Sequence, residues 1–188
     1  MTISVIFKPT FLAIEDQFYL SKAVSIAVHS VVAYHLPANT VRIKWPNDIY
    51  VEDRKVAGIL IQNILQGRLF NWAVVGIGLN VLQMRFSDEL TNPTSLRLEG
   101  AQGVDPVVVR LGLCEQLEHY YHSLLNNKKS LDSNYESLLY QVGRSTVFLK
   151  PDGTQFRGSI LGVSKSGALI VKEQGGRQHS FTIKEISY

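Results

Sequence analysis

The chain holds 188 residues, 45% hydrophobic and 19% charged, with a formal net charge of +3. That length suits one ordinary domain with a small satellite, and that composition excludes disorder. Its Lys and Arg are scattered, which argues against a nucleic-acid partner, while a lone cysteine and the lack of a ~20-residue apolar run or a leader pattern lead us to expect a cytoplasmic chain without a membrane span.

Ile3, Val5 and Phe7 alternate as in a strand that Pro9 closes. Residues 14–36 repeat apolar side chains at helical spacing (Leu20, Ala23, Val24, Ala27, Val31) before Pro37, which predicts a buried helix. "NTVRIKW" is strand-like and "PND" is a turn. "IYV" and "KVAGILIQNIL" predict two strands around the "EDR" turn, and the almost wholly apolar "FNWAVVGIGLNV" predicts a central strand. "NPTSL" offers a turn and a Thr or Ser cap. Asp105 as N-cap with Pro106 at the first helical position marks the clearest helix, and "SNYESLLYQ" adds a second helical stretch. From Gly143 onward short strands alternate with "PDG", "KSG" and "QGG" turns, which predicts a small all-β unit packed on the first.

The stretch "KWPNDIYVEDRKVAGILI", residues 44–61, concentrates the chemistry. Pro46 ends a strand rigidly, and an antiparallel hairpin across "YVEDR" would return Lys55 toward Asp48. A carboxylate beside a fixed ammonium suits phosphate or carboxylate chemistry, and Gly58 would let a ligand approach the backbone. Charged residues at a turn are ordinarily solvated, however, and a strand glycine ordinarily marks a bulge. The residues alone leave both readings open.

"KWPNDIYVEDRKVAGIL", followed by "VVGIGLNV" at 74–81, resembles the signature of the biotin protein ligase family. The resemblance implies an α/β (α+β) fold: a mixed or antiparallel sheet flanked by helices, like class II aminoacyl-tRNA synthetases and the biotin/lipoate ligases. It implies a catalytic core over 1–142 and an SH3-like β-barrel over 143–188. The implied reaction joins biotin and MgATP into biotinyl-5'-AMP, then passes biotin to a lysine of the biotin carrier domain of a carboxylase. Lys55 would face the biotin carboxylate and the reacting phosphate, and Asp48 would orient or deprotonate the carrier lysine. Asn47 and Asn80 would contact nucleotide, Lys44 would add phosphate charge, and Gly58, Ile59, Gly76 and Gly78 would line the biotin and adenylate site. No residues are assigned to hold a metal, magnesium arriving with ATP, and a homodimer is among the expectations.

The family's Ser-Thr-Asn element and GRGRxGRxW loop have no counterpart before "MTISVIFKP"; "QGRL" at 66–69 and "QGGRQHS" near the end lack the repeated pattern. The expectation is therefore an N-terminally truncated core: a fragment of a ligase, or a remnant serving as a non-catalytic binding module. A lipoate ligase is a further alternative within the same fold. Elsewhere, "GIGLN" lacks the third glycine of a dinucleotide fingerprint. His119 and His122 share a helix without a carboxylate motif, so they are expected at or near the surface. Cys114 and Trp72 are expected in the core, Tyr120 and Tyr121 in packing, and Trp45 near the nucleotide.

Overall fold

The computed structural model describes residues 1–66 and 69–188; Gly67 and Arg68 of the "QGRL" run lie outside them. The first unit runs β1 (Thr2–Phe7), α1 (Phe18–His35), β2 (Val41–Lys44), β3 (Asp48–Val51), β4 (Arg54–Gln66), β5 (Leu69–Leu79), α2 (Pro106–Asn126) and α3 (Lys128–Ser137). Its five strands form one sheet in the order β1-β5-β4-β3-β2, every neighbouring pair antiparallel. The expected sheet flanked by helices is thus present, and its pairing is antiparallel throughout.

Alternation sorts the two sheet faces. Ile43, Ile49, Val51, Ile59, Val75 and Ile77 are all buried and face the helices. Each such side chain contributes about 1.5–3 kcal/mol by leaving water. The opposite residues, among them Thr2, Ser4, Leu60 and Gly78, remain exposed. The sequence pattern therefore builds a one-sided sheet with an open face.

Helix α1 starts later than the apolar period suggests, because Ile14–Asp16 form a 3-10 turn. It packs on α2 and carries a buried lysine: Lys22 pairs with Asp132 at 2.5 Å, and the Tyr19 hydroxyl donates to the same carboxylate at 2.8 Å. The Asp105 side chain accepts from Val107 N at 2.8 Å, as its cap position predicts. After "NP" no helix forms. Asn92 takes a positive φ of 47°, and Ser95 Oγ accepts from Leu98 N while donating to the Gln83 carbonyl.

Two expected core residues lie at the surface. Cys114 is exposed on α2. Trp72 is 40% exposed because its place on β5 puts it opposite Ile64 on the open face, where Lys8 lies 5.0 Å over its ring. Tyr121 does pack, stacked on Phe7 at 4.8 Å.

The second unit is a four-stranded antiparallel sheet, β6 (Ser145–Leu149), β7 (Gln155–Val163), β8 (Leu169–Glu173) and β9 (Gln178–Phe181), in that order, with Leu149 bridged to Ser187. It is seated on the first unit through a tight contact. Trp45, almost fully buried, donates its indole N–H to the Gly167 carbonyl at 2.9 Å. Gly167, at φ +94°, leaves no room for a side chain against Phe18. Asp16 adds an ion pair across to Lys165 at 2.9 Å while also pairing with Lys128 of α3, in its own unit, at 2.7 Å. Among the described residues no helix is long and apolar enough to cross a membrane.

Candidate active site

The opposed carboxylate and ammonium expected in the 44–61 stretch do meet: Lys55 Nζ lies 2.7 Å from Asp48 Oδ1. Strand alternation alone would not bring this about. Asp48 pairs across the hairpin with Gly58, so Asp48 and Gly58 share a face, and an unbroken β4 would turn Lys55, three residues earlier, to the other face. A β-bulge corrects the parity. Ile49 pairs with Ala57 but Tyr50 pairs with Lys55, leaving Val56 as the extra residue. Val56 and Ala57 are consecutively buried, and Lys55 swings to the open face beside Asp48.

A row of paired residues crosses the open face: Lys44, Asp48, Gly58, Gly78 and Thr2 are successive cross-strand partners. A Cβ on Gly58 would sit 3.4 Å from Lys55 Nζ and 3.5 Å from Asp48 Oδ1. Above Gly76 and Gly78 the nearest atoms are the backbone carbonyls of Leu60 and Gly58, at 3.7 Å and 4.0 Å. The glycines thus form a bare lane of backbone that leads to the ion pair.

Beside the pair lies a cavity of about 420 Å³, lined by Asp48, Lys55, Asn80 and, from the loop after β5, Leu90, Thr91 and Pro93. That loop is fastened to the site. Lys55 N donates to the Asn92 carbonyl and Thr94 N to the Lys55 carbonyl, both at 2.8 Å. Asn80 Nδ2 donates to the Thr94 carbonyl at 2.9 Å, and Asn80 Oδ1 accepts from Gln83. Thr94 in turn donates to Glu99, which also pairs with Arg54 at 2.8 Å.

The remaining expected residues are placed differently. Asn47 and Ile59 hold each other, Asn47 Nδ2 donating to the Ile59 carbonyl at 2.7 Å and Ile59 N to the Asn47 carbonyl at 2.9 Å. The Ile59 side chain is buried on the helix-facing side. Both border a second cavity of about 730 Å³ between the start of α1, β4 and the second sheet. Lys44 stands among the rings of Tyr50, Tyr140 and Tyr188. Burial pushes its pKa below the usual lysine range, with Lys55 adding to this and Asp48 opposing it. Burial, then the Asp48 charge, raises the Tyr50 phenol.

The 90–94 loop, Tyr140 and Tyr188 have no counterpart among the residues picked from the sequence. "NPTS" signals a turn, but its attachment to Lys55 is tertiary. Among the described residues no group of three or more His, Cys, Asp or Glu could hold a metal ion. His122 is exposed, and its only ionic neighbour described is Glu118 at 4.0 Å.

An antiparallel sheet backed by helices thus carries a Lys–Asp pair at the head of a glycine lane. Residues 1–80 match the model of the Biotin/lipoate A/B protein ligase family. It is 31% identical over 162 residues to the bifunctional ligase/repressor BirA of Escherichia coli strain K12, covering 83% of this chain and 49% of that protein. It is 38% identical over 163 residues to the BirA of Salmonella typhimurium, again covering 83% and 49%. The chain therefore spans about half the length of these curated relatives. Among solved structures, the biotin protein ligase of Aquifex aeolicus in complex with biotin and ATP shares the fold, with a TM-score of 0.79 at 22% identity, covering 99% of this chain and 76% of that one.

Proposed function

We propose that the chain works as the core of a biotin protein ligase. The observation that carries this reading is the Asp48–Lys55 pair, turned onto the open face by the Val56 bulge at the head of the Gly58–Gly78 lane. The Aquifex relative binds biotin and ATP, and the same pair of small molecules suits this arrangement.

In the first step a biotin carboxylate oxygen attacks the α-phosphorus of MgATP. The new P–O bond gives biotinyl-5'-AMP, and pyrophosphate leaves with the electrons of the broken bond. The Lys55 ammonium offsets charge on the carboxylate and then on the phosphoryl oxygens, where it is stronger than in water. Gly58, Gly76 and Gly78 admit biotin and the adenylate against bare backbone. Asn80 shapes the nucleotide end by tying down the 90–94 loop, and the Asn47–Ile59 pair stiffens the strand beneath it. Magnesium enters with the nucleotide as part of the substrate.

In the second step the amine of a carrier lysine attacks the acyl carbon and AMP leaves. Asp48 orients that lysine and accepts its proton. The partner is a biotin carrier domain of a carboxylase, to whose acidic surface a net charge of +3 is suited. The division at residue 142, the SH3-like character of the second sheet and a cytoplasmic setting belong to the same proposal.

The test is transfer of biotin from MgATP and biotin to a purified carrier domain, read as the mass gain of one biotinyl group. Transfer by the wild type and none by Lys55→Ala supports the reading. Lipoyl transfer in place of biotinyl transfer would reassign the substrate, and equal activity of the variant would remove Lys55 from the chemistry.

A further inference from the structure

Among the described residues, Lys44 is a half-buried cation with no carboxylate at ion-pair distance. Among the described residues the nearby acids are engaged elsewhere: Asp48 takes Lys55 at 2.7 Å, and Asp53 accepts the Tyr140 hydroxyl at 2.6 Å. The Lys44 ammonium instead lies 4.9 Å from the ring centroid of Tyr50, 5.2 Å from Tyr188 and 5.8 Å from Tyr140. Its one hydrogen bond described is donated to the Tyr50 hydroxyl at 3.4 Å. Ring faces attract a cation through their quadrupole but do not neutralise it. A carboxylate in their place would satisfy the ammonium and close it to other anions. This cage does the opposite: it offsets part of the cost of burial and leaves the positive charge unspent.

The three rings come from distant parts of the chain. Tyr50 is on β3 and lines the 420 Å³ cavity with Asp48 and Lys55. Tyr140 follows α3 and is fixed by its bond to Asp53 in the β3–β4 turn. Tyr188 follows β9, where its ring lies 5.4 Å from that of Phe148 in the second sheet and 6.4 Å from that of Tyr140. Lys44 itself sits directly across the β2–β3 ladder from Asp48.

The geometry points to Tyr188 and Tyr140 as positioning residues that hold the Lys44 ammonium, uncompensated, at the margin of the Asp48–Lys55 cavity to receive a phosphate group of the nucleotide. The second sheet thereby belongs to the anion site. This inference rests on the reading of that cavity as the place where MgATP binds. Resolvation of Lys44 would cost the site both the alignment and the strength of its charge, so removing a ring acts on the nucleotide step through Lys44.

The test uses the full 188-residue chain and two readouts: calorimetric titration with MgATP, and the NMR shifts of the Lys44 ε-methylene, assigned with Lys44→Arg. Tyr188→Leu is expected to weaken MgATP binding by about 3- to 30-fold and to move the ring-shifted ε resonances toward their solvent-exposed position, while Tyr188→Phe keeps both. Tyr140→Leu, which leaves the Phe148 contact in place, gives the same pair of changes and covers the case in which Tyr188→Leu fails to fold. The inference is overturned if Tyr188→Leu and Tyr140→Leu bind MgATP like the wild type while Lys55→Ala does not, or if Tyr188→Phe is as damaging as the leucine. A wild-type chain that takes up no MgATP at all overturns the underlying ligase reading, and this inference with it.

Discussion

Gly58→Ala separates what the fold needs from what the ligand needs. Gly58 has an ordinary strand conformation, and an added Cβ meets Lys55 Cε and Nζ at 3.4 Å and Asp48 Oδ1 at 3.5 Å, all ordinary contact distances. The substitution therefore fits, and removing a glycine from a strand interior adds about 0.5–1 kcal/mol to stability. The same methyl stands in the lane at the point where, on the proposed function, biotin would approach Lys55. Overfilling a close-packed contact costs about 1–3 kcal/mol, which corresponds to a loss of about 5- to 150-fold in affinity for biotin or its adenylate. Urea denaturation followed by equilibrium binding of biotin reads the two effects on one sample. An alanine variant that binds biotin like the wild type would refute the lane as ligand ground, and one that unfolds more readily would refute the geometry of the strand.

The seating of the second sheet and its pH dependence are testable in the same way. In Gly167→Ala the new Cβ would lie 2.4 Å from Phe18 Cδ2 at a backbone φ of +94°; a loss of about 2–5 kcal/mol in urea denaturation is expected, and an unchanged midpoint would remove this contact as the clamp between the sheets. Hydrogen bonds from Lys128 and then Lys165 hold the Asp16 carboxyl below its usual range. A lowered carboxylate pKa adds stability that is present above the unfolded value and is lost as pH falls through the folded one. Asp16→Asn should lower Tm by about 2–4 °C at neutral pH, with the difference from the wild type closing in acid once the Asp16 carboxyl is protonated in the folded chain. A gap that persists in acid would show that the pairs are not its source.

Local pattern carried much of the fold. Alternation in β1, the "EDR" turn between β3 and β4, and the Asp105–Pro106 start of α2 are all readable because backbone preference and burial agree there. The approach of Lys55 to Asp48 was legible as hairpin geometry, but the Val56 bulge that puts them on one face was not. Its only trace is the adjacent apolar pair Val56–Ala57 before Gly58, which other strand contexts also contain. Trp72 and Cys114 misled because residue type predicts burial only on average, and register and helix face decide it. The aromatic cage of Lys44 and the attachment of the 90–94 loop to Lys55 join residues separated by tens of positions, and no local pattern encodes them.

Calorimetric binding of biotinyl-5'-AMP to the wild-type chain and to Lys55→Ala interrogates the ion pair and the glycine lane without requiring turnover. One adenylate per chain is expected, with affinity reduced about 10- to 100-fold by the loss of the Lys55 ammonium. Failure of the wild type to bind, or equal affinity of the variant, would contradict this expectation.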